Sequence, residues 1–195
     1  MMLTPRDFLP LARYRQLRPQ VRRAMVVHRN RFTLDLGPCM RVQVEDLRSA
    51  WYQVQEALHR QSIEDPAGIW EVLDTHAHLM PEPGECKMTV FVAANATGQA
   101  GRGPALLDAA VQQIELSVSG RCSPATSRGD ENTQDHNPLL PSGVYFLRFA
   151  LSPVAHDFNP QQAGALALRC RHWAYRYQAS LPMPLGLVQA ATMAA

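Results

Sequence analysis

Residues 32–45 read Phe-Thr-Leu-Asp-Leu-Gly-Pro-Cys-Met-Arg-Val-Gln-Val-Glu, and this stretch decides the fold class. Phe32, Leu34 and Leu36 alternate with Thr33 and Asp35; beyond Gly37-Pro38-Cys39, Met40, Val42 and Val44 alternate with Arg41, Gln43 and Glu45. Successive side chains of an extended chain point to opposite faces, so each run predicts a strand with one buried face. The Gly-Pro step between them reverses the chain, and the two runs form a β-hairpin.

Helical spacing flanks the hairpin on both sides. Upstream, Thr4-Pro5 pairs an N-cap with proline at the first helical position, and Phe8, Leu11 and Ala12 follow at helical intervals. Pro19 predicts a break before Val21, Met25 and Val26 resume the period, giving two short helices. Downstream, Asp46 caps a helix carrying Leu47, Ala50, Trp51, Val54 and Leu58 to about residue 62. Asp65-Pro66 starts another that turns Ile69, Trp70, Leu73 and Ala77 inward, ending at Pro81 to Gly84. Strands are predicted over 87–94, 114–118, 144–151, 165–171 and 175–181. A short helix is expected from Leu106 to Val111, a glycine-rich loop over 95–103 and a helical tail from Leu185. Residues 122–142 are polar, proline-bearing and aperiodic, which predicts a mobile loop. No spacing repeats a βαβ crossover. The expectation is one α+β domain over 1–195: N-terminal helices before the hairpin, then a mostly antiparallel sheet with helices packed on one face.

Composition narrows the class. At 195 residues and 46% hydrophobic, the chain can bury a sizeable core. It lacks an apolar run long enough for a membrane span, and its start lacks the basic-then-apolar pattern of a secretory leader. Cys39, Cys86, Cys122 and Cys170 lie far apart, which suits reduced thiols in the cytoplasm. The net charge of +2 does not by itself argue for nucleic acid. Its distribution is uneven, however. Arg6, Arg13, Arg15, Arg18, Arg22, Arg23, Arg29 and Arg31 face a single acid, Asp7, in the first 31 residues, while Lys87 is the only lysine. A GC-rich genome explains arginine over lysine but not the clustering, which points to an acidic partner or surface.

Several segments together resemble a known family. They are Leu3-Thr4-Pro5-Arg6-Asp7, Leu36-Gly37-Pro38, Tyr52-Gln53-Val54-Gln55-Glu56-Ala57-Leu58, Tyr145-Phe146-Leu147-Arg148-Phe149, Leu151-Ser152-Pro153, and His172 with Tyr175. In order and spacing they resemble the bacterial domain-of-unknown-function family 3501 over nearly the whole chain. Gln53, Gln55, Glu56 and Arg148 are the most family-like positions. The resemblance implies a setting beside rubrerythrin-like and iron–sulfur proteins, in iron or peroxide handling, without implying a mechanism. The chain departs from the family pattern at Cys39 and Tyr177, where histidines are common, at Trp173, where proline is, and at His76-Ala77-His78, which replaces a Tyr-Asn-Pro segment.

Three constellations could carry chemistry. His76 and His78, with His59, Cys39, His172 and Tyr175, have the ligand types of an iron or zinc site, although ordinary helix-end histidines are the commoner explanation of such a pair. Glu56 and His59 share one helix face at the spacing used in di-iron bundles, where a salt-bridged polar face is the simpler alternative. Arg169 to Tyr177 would present Arg169, Arg171, Trp173, Tyr175 and Tyr177 on one face if extended, a base-stacking surface. The His-x-x-Tyr spacing suggests a turn instead. There is no Gly-x-Ser-x-Gly and no phosphate-cradling loop with its lysine. The leading expectation is therefore a non-enzymatic accessory or interaction protein with iron–sulfur or rubrerythrin-like partners. It would hold no cofactor at full stoichiometry and bind a partner through Arg15, Arg18, Arg22 and Arg23. The alternatives are a metal- or haem-dependent oxidoreductase built on the His/Tyr/Cys set and, more weakly, nucleic-acid binding through the arginine-rich start.

Overall fold

The computed structural model describes residues 3–80, 82, 84–93, 104–118, 121–127, 143–151 and 165–182. These residues fall into two compact units: a helical one within Met1–Arg31 and Glu45–Pro81, and a β-rich one within Phe32–Val44 and Glu82–Ala195. Helices and antiparallel sheets occupy separate stretches of chain, so the class is α+β.

In the helical unit, a 3₁₀ turn at Pro5–Asp7 is closed by Asp7, whose carboxylate accepts from the Thr4 amide (2.7 Å) and hydroxyl (2.8 Å). Helix α1 then runs unbroken from Leu11 to Arg31 with Pro19 inside it, correcting the expected pair of short helices. Proline removes one backbone donor and crowds the preceding turn. Leu11 and Tyr14 before the proline and Met25 after it are buried, so both halves of the 21-residue helix are anchored. Helix α2 (Leu47–Gln61) starts at Asp46, which accepts from the Ser49 amide (2.7 Å) as predicted, and ends at Ser62 in the left-handed conformation. Helix α3 (Pro66–Thr75) is capped by Asp65, which accepts from the Gly68 amide (2.8 Å), and a 3₁₀ turn follows at Ala77–Leu79.

The apolar cluster of this unit joins Leu3, Val54, Ala57, Leu58, Ile69, Val72 and Leu73. Half-buried Trp51 packs against it. Its indole stacks on Phe8 with centroids 6.5 Å apart and donates to the Asp7 carbonyl (2.9 Å). Two expected inward residues of α3 point elsewhere: Trp70 is 53% exposed and Ala77 is exposed, while Val72 and Leu79 are buried instead. α3 buries Ile69, Val72 and Leu73, so Trp70, one position (about 100°) beyond Ile69, turns to solvent, while Ala77 falls past the end of α3 in the 3₁₀ turn.

In the β-rich unit, β1 (Thr33–Asp35) and β2 (Met40–Val44) form the predicted hairpin, pairing Thr33 with Gln43, Leu34 with Val42 and Asp35 with Arg41. The other strands are β3 (Glu85–Val92), β4 (Ile114–Val118), β5 (Arg121–Pro124), β6 (Thr126–Ser127), β7 (Val144–Ala150), β8 (Ala165–Cys170) and β9 (Tyr177–Pro182). They form two sheets, in the orders β1-β2-β3-β7-β6 and β5-β4-β8-β9, and every pair is antiparallel. Only Ala125 separates β5 from β6, and β1 lies beside β9, so the sheets meet at both ends. Between them lies one core that includes Leu36, Met40, Met88, Phe149, Leu116, Leu166 and Leu168. Helix α4 (Pro104–Val111) adds Leu107, Ala110 and Val111 to that core, and the Tyr145 hydroxyl ties it to β7 by donating to Asp108.

The expected loop over 122–142 begins as strand: Cys122 to Pro124 belong to β5, and Thr126–Ser127 form β6. Cross-strand pairing with β4 and β7 orders residues whose own sequence has no period. Residues 128–142 lie outside the described residues, as do the predicted glycine-rich loop from 95 on and the tail from Leu185.

Two stability measurements check this account. Pro19 is exposed in the interior of α1, where proline costs about 3 kcal/mol relative to alanine. Pro19→Ala should therefore raise unfolding stability by about 1–3 kcal/mol in denaturant titration, and a destabilised variant would rule out a continuous α1. Gly37 has φ +75°, and a Cβ there would come 2.6 Å from the Tyr177 ring. Gly37→Ala should cost more than about 2 kcal/mol through backbone strain and overlap together. A neutral result would break the turn assignment.

Candidate functional site

The expected ligand residues are distributed over both units. Cys39, His172 and Tyr175 belong to the β-rich unit, and His59, His76 and His78 to the helical unit. Among the described residues, no group of three His, Cys, Asp or Glu side chains could hold a metal ion.

In the β-rich unit the chain turns between β8 and β9, so Arg169–Tyr177 is not extended throughout and its common aromatic face does not form. Tyr175 lies in this turn, two residues ahead of the strand predicted to begin with it. It is fully buried, and its hydroxyl donates to the Leu36 carbonyl (2.6 Å) and accepts from the Cys39 amide (3.1 Å). Burial pushes the phenol up to about 12, so it stays protonated and able to donate. The Tyr177 ring sits 4.6 Å from that of Tyr175 and against Gly37. Cys39 therefore meets Tyr175 through its backbone. His172 is buried as well; its carbonyl accepts from the Tyr175 amide (2.9 Å), and its Nδ1 faces the Ala174 amide at 3.4 Å. These bonds hold a turn in shape. Arg148, on β7, pairs with Glu85 (3.4 Å).

In the helical unit a second constellation lies along α1 and α2. The Glu56 carboxylate accepts from the Tyr14 hydroxyl (2.8 Å), from Arg18 Nε (2.9 Å) and, on its other oxygen, from Arg18 Nη2 (2.9 Å). Glu56 thus pairs with arginine across helices and not with His59, and Arg18, expected to meet a partner, is engaged inside the unit. The Arg18 hydrogen bonds hold the Glu56 carboxyl below its ordinary value of 4.5, against its burial. Burial, then the Glu56 bond, pushes the Tyr14 phenol far up. His59 meets the Tyr14 ring edge-on at 5.6 Å, and its buried Nδ1 has no hydrogen-bond partner among the described residues. Toward the other end, Arg29 lies over the Tyr52 ring (5.1 Å) and His28 Nε2 meets Asp46 at 2.7 Å.

Gln55, fully buried, accepts from the Leu9 amide (2.7 Å) and donates to the Leu9 carbonyl (3.2 Å), while Glu64 accepts from the Leu11 amide (2.9 Å). Gln53 is half-buried. His76 is held below 6.5 chiefly by burial. Its Nδ1–H donates to the Val72 carbonyl (2.8 Å), and its ring stacks on His78 at 6.4 Å. Arg15, Arg22 and Arg23 are exposed on α1. Tyr14 was not singled out in the sequence. The available signal was its place with Leu11, Arg18 and Met25 at helical spacing on one side of α1.

The Glu56 network makes a prediction with a definite sign. A carboxyl whose folded pKa is depressed stabilises the protein above its unfolded value and loses that contribution as pH falls through the folded pKa. Wild-type stability should therefore drop below about pH 4.5, and Glu56→Gln should flatten that part of the profile. At neutral pH, Glu56→Ala should cost about 3 kcal/mol, because it leaves the buried Tyr14 hydroxyl without an acceptor and Arg18 without its carboxylate. An unchanged acid limb in Glu56→Gln would remove the network from the account of stability.

No curated protein matches the chain. A crystal structure of a novel protein of unknown function from Burkholderia pseudomallei K96243 is similar over 100% of this chain and 98% of its own. Its sequence identity is 25% and its TM-score 0.74. The sequence pattern described as "Protein of unknown function (DUF3501)" matches residues 2–189. The segments that carried the resemblance stand at contacts that close each unit: Leu36-Gly37 against Tyr175 and Tyr177, Gln55 around Leu9, and Glu56 against Tyr14 and Arg18. With nearly its full length matched, the chain belongs to the DUF3501 family, whose function is unknown.

Proposed function

We propose that this protein is a non-enzymatic interaction protein that docks an acidic surface of a partner protein against α1. One observation carries the reading. Over 21 residues α1 holds seven arginines and no acid, and Arg13, Arg15, Arg22, Arg23 and Arg31 are exposed after Arg18 and Arg29 have been used internally. Val26 and Val27, 60% and 57% exposed, add apolar area beside them. Arginine with adjacent apolar surface is the composition of protein-binding patches, and the excess of one charge sign speeds encounter with an acidic partner. The bonds at Tyr175, His172, Glu56 and Gln55 support the same reading, since each has a structural use. The family setting directs the search for the partner to rubrerythrin-like and iron–sulfur proteins of the cytoplasm.

Titrating the full chain against a purified acidic rubrerythrin-like protein tests the proposal. Binding should weaken as salt rises, and replacing Arg22 and Arg23 together by alanine should lower affinity by roughly fivefold or more, at about 0.5–1 kcal/mol for each exposed charge. Affinity that ignores both salt and the double variant would sink the α1 assignment. Protein purified without added metal that carries stoichiometric iron or zinc, lost in His172→Ala, would replace the reading with a metalloenzyme.

A further inference from the structure

Trp173 is 77% exposed, the most exposed of the large apolar side chains among the described residues. It sits on the turn between β8 and β9, and that turn is fixed on both sides. The Arg171 amide donates to the Gln113 carbonyl (3.0 Å), the Tyr175 amide to the His172 carbonyl (2.9 Å), and the Tyr175 hydroxyl to the Leu36 carbonyl (2.6 Å). His172 before the indole and Tyr175 after it are both buried. The turn thus holds a large apolar side chain in water on an ordered backbone, so a ligand that packs on the indole has little backbone left to order.

Arginines surround it. The hairpin register pairs Arg169 with Gln178 and Cys170 with Tyr177, which puts Arg171 and Arg176 just beyond the last pair, one on each leg, with Trp173 between them. All three arginines are exposed. Among the described residues, Glu115 pairs with Arg169 in register and its carboxylate accepts from Arg171 (3.0 Å). Cationic charge therefore remains on both sides of an exposed apolar plate.

We propose that this hairpin tip, Trp173 with Arg169, Arg171 and Arg176, is a docking site for an acidic, extended peptide segment. An apolar residue of the segment packs on the indole while flanking carboxylates meet the arginines on the two legs. Trp and Arg dominate the energetics of protein–protein contacts. Single-stranded nucleic acid is the less suitable ligand, because it stacks successive bases along several aromatic platforms. Here Tyr175 is buried and Tyr177 packs on Gly37, leaving one exposed ring. The site rests on the interaction-protein reading but not on α1.

The test uses the full chain and three labelled probes: a glutamate peptide with a central leucine–proline pair, the same peptide with glycines in place of that pair, and oligouridylate. At low salt the first peptide should bind and shift the tryptophan emission. Its affinity should fall about tenfold or more in Trp173→Ala and several-fold in Arg171→Ala, and should stay unchanged in Trp70→Ala, which removes the other strongly exposed indole. The glycine peptide should bind several-fold more weakly than the first. No binding of the first peptide overturns the proposal, as does equal affinity for wild type and Trp173→Ala. Trp173-dependent binding of oligouridylate in preference to the peptide would assign the tip to nucleic acid instead. If the tip fails while the α1 arginines still control partner binding, only this inference falls.

Discussion

The Tyr175 hydroxyl satisfies two backbone groups that no strand partner reaches, the Leu36 carbonyl and the Cys39 amide, across 139 and 136 residues of sequence. An unpaired buried backbone group costs about as much as a lost hydrogen bond or more, so the β1–β2 turn could not be buried without this phenol or an equivalent. The same turn requires glycine at 37, because φ is +75° and the Tyr177 ring occupies the space of a Cβ. With both conditions met, β1 lies beside β9 and the two sheets meet at this end as they do through Ala125 at the other. The antiparallel core between them follows from that junction.

The helical unit solves a different problem. Its apolar cluster is built by α2, α3 and the N-terminal segment, and includes no residue of α1. Beside its buried Leu11, Tyr14 and Met25, α1 meets α2 through a row of polar and ring contacts: Tyr14 and Arg18 on Glu56, Tyr14 against His59, Arg29 over Tyr52, and His28 on Asp46. A bidentate arginine–carboxylate pair has directional demands that apolar packing lacks, so this arrangement fixes the register of the two helices. It also consumes polar residues that look functional in isolation. Glu56 and His59 have the spacing of a metal-binding pair, yet the Glu56 carboxylate is taken up by Tyr14 and Arg18.

Both proposed docking surfaces use side chains that the described structure leaves exposed: Arg13, Arg15, Arg22, Arg23 and Arg31 on α1, and Trp173 at the hairpin tip. They lie in different units and differ in kind. One is a charged helix with two exposed valines, and the other is a single anchored indole between arginines. Long-range charge brings partners together, while a fixed aromatic plate discriminates among them.

The sequence by itself determined the hairpin at 32–44, the caps at Asp46 and Asp65, the α+β class and the family, because period-two alternation, capping chemistry and ordered motifs are local or linear signals. It also favoured the turn at His172–Tyr175 through that pair's spacing. Tertiary structure alone decided that α1 continues through Pro19, that 122–124 and 126–127 are strand, and that Arg18 and Glu56 pair with each other. It alone placed Trp70 and Trp173 in water. Where a distant partner decides the outcome, the separation is large: 38 positions from Arg18 to Glu56, and 139 from Tyr175 to Leu36. Local propensity carries no record of such a partner, because the energy that decides the matter exists only once the distant segment is in contact.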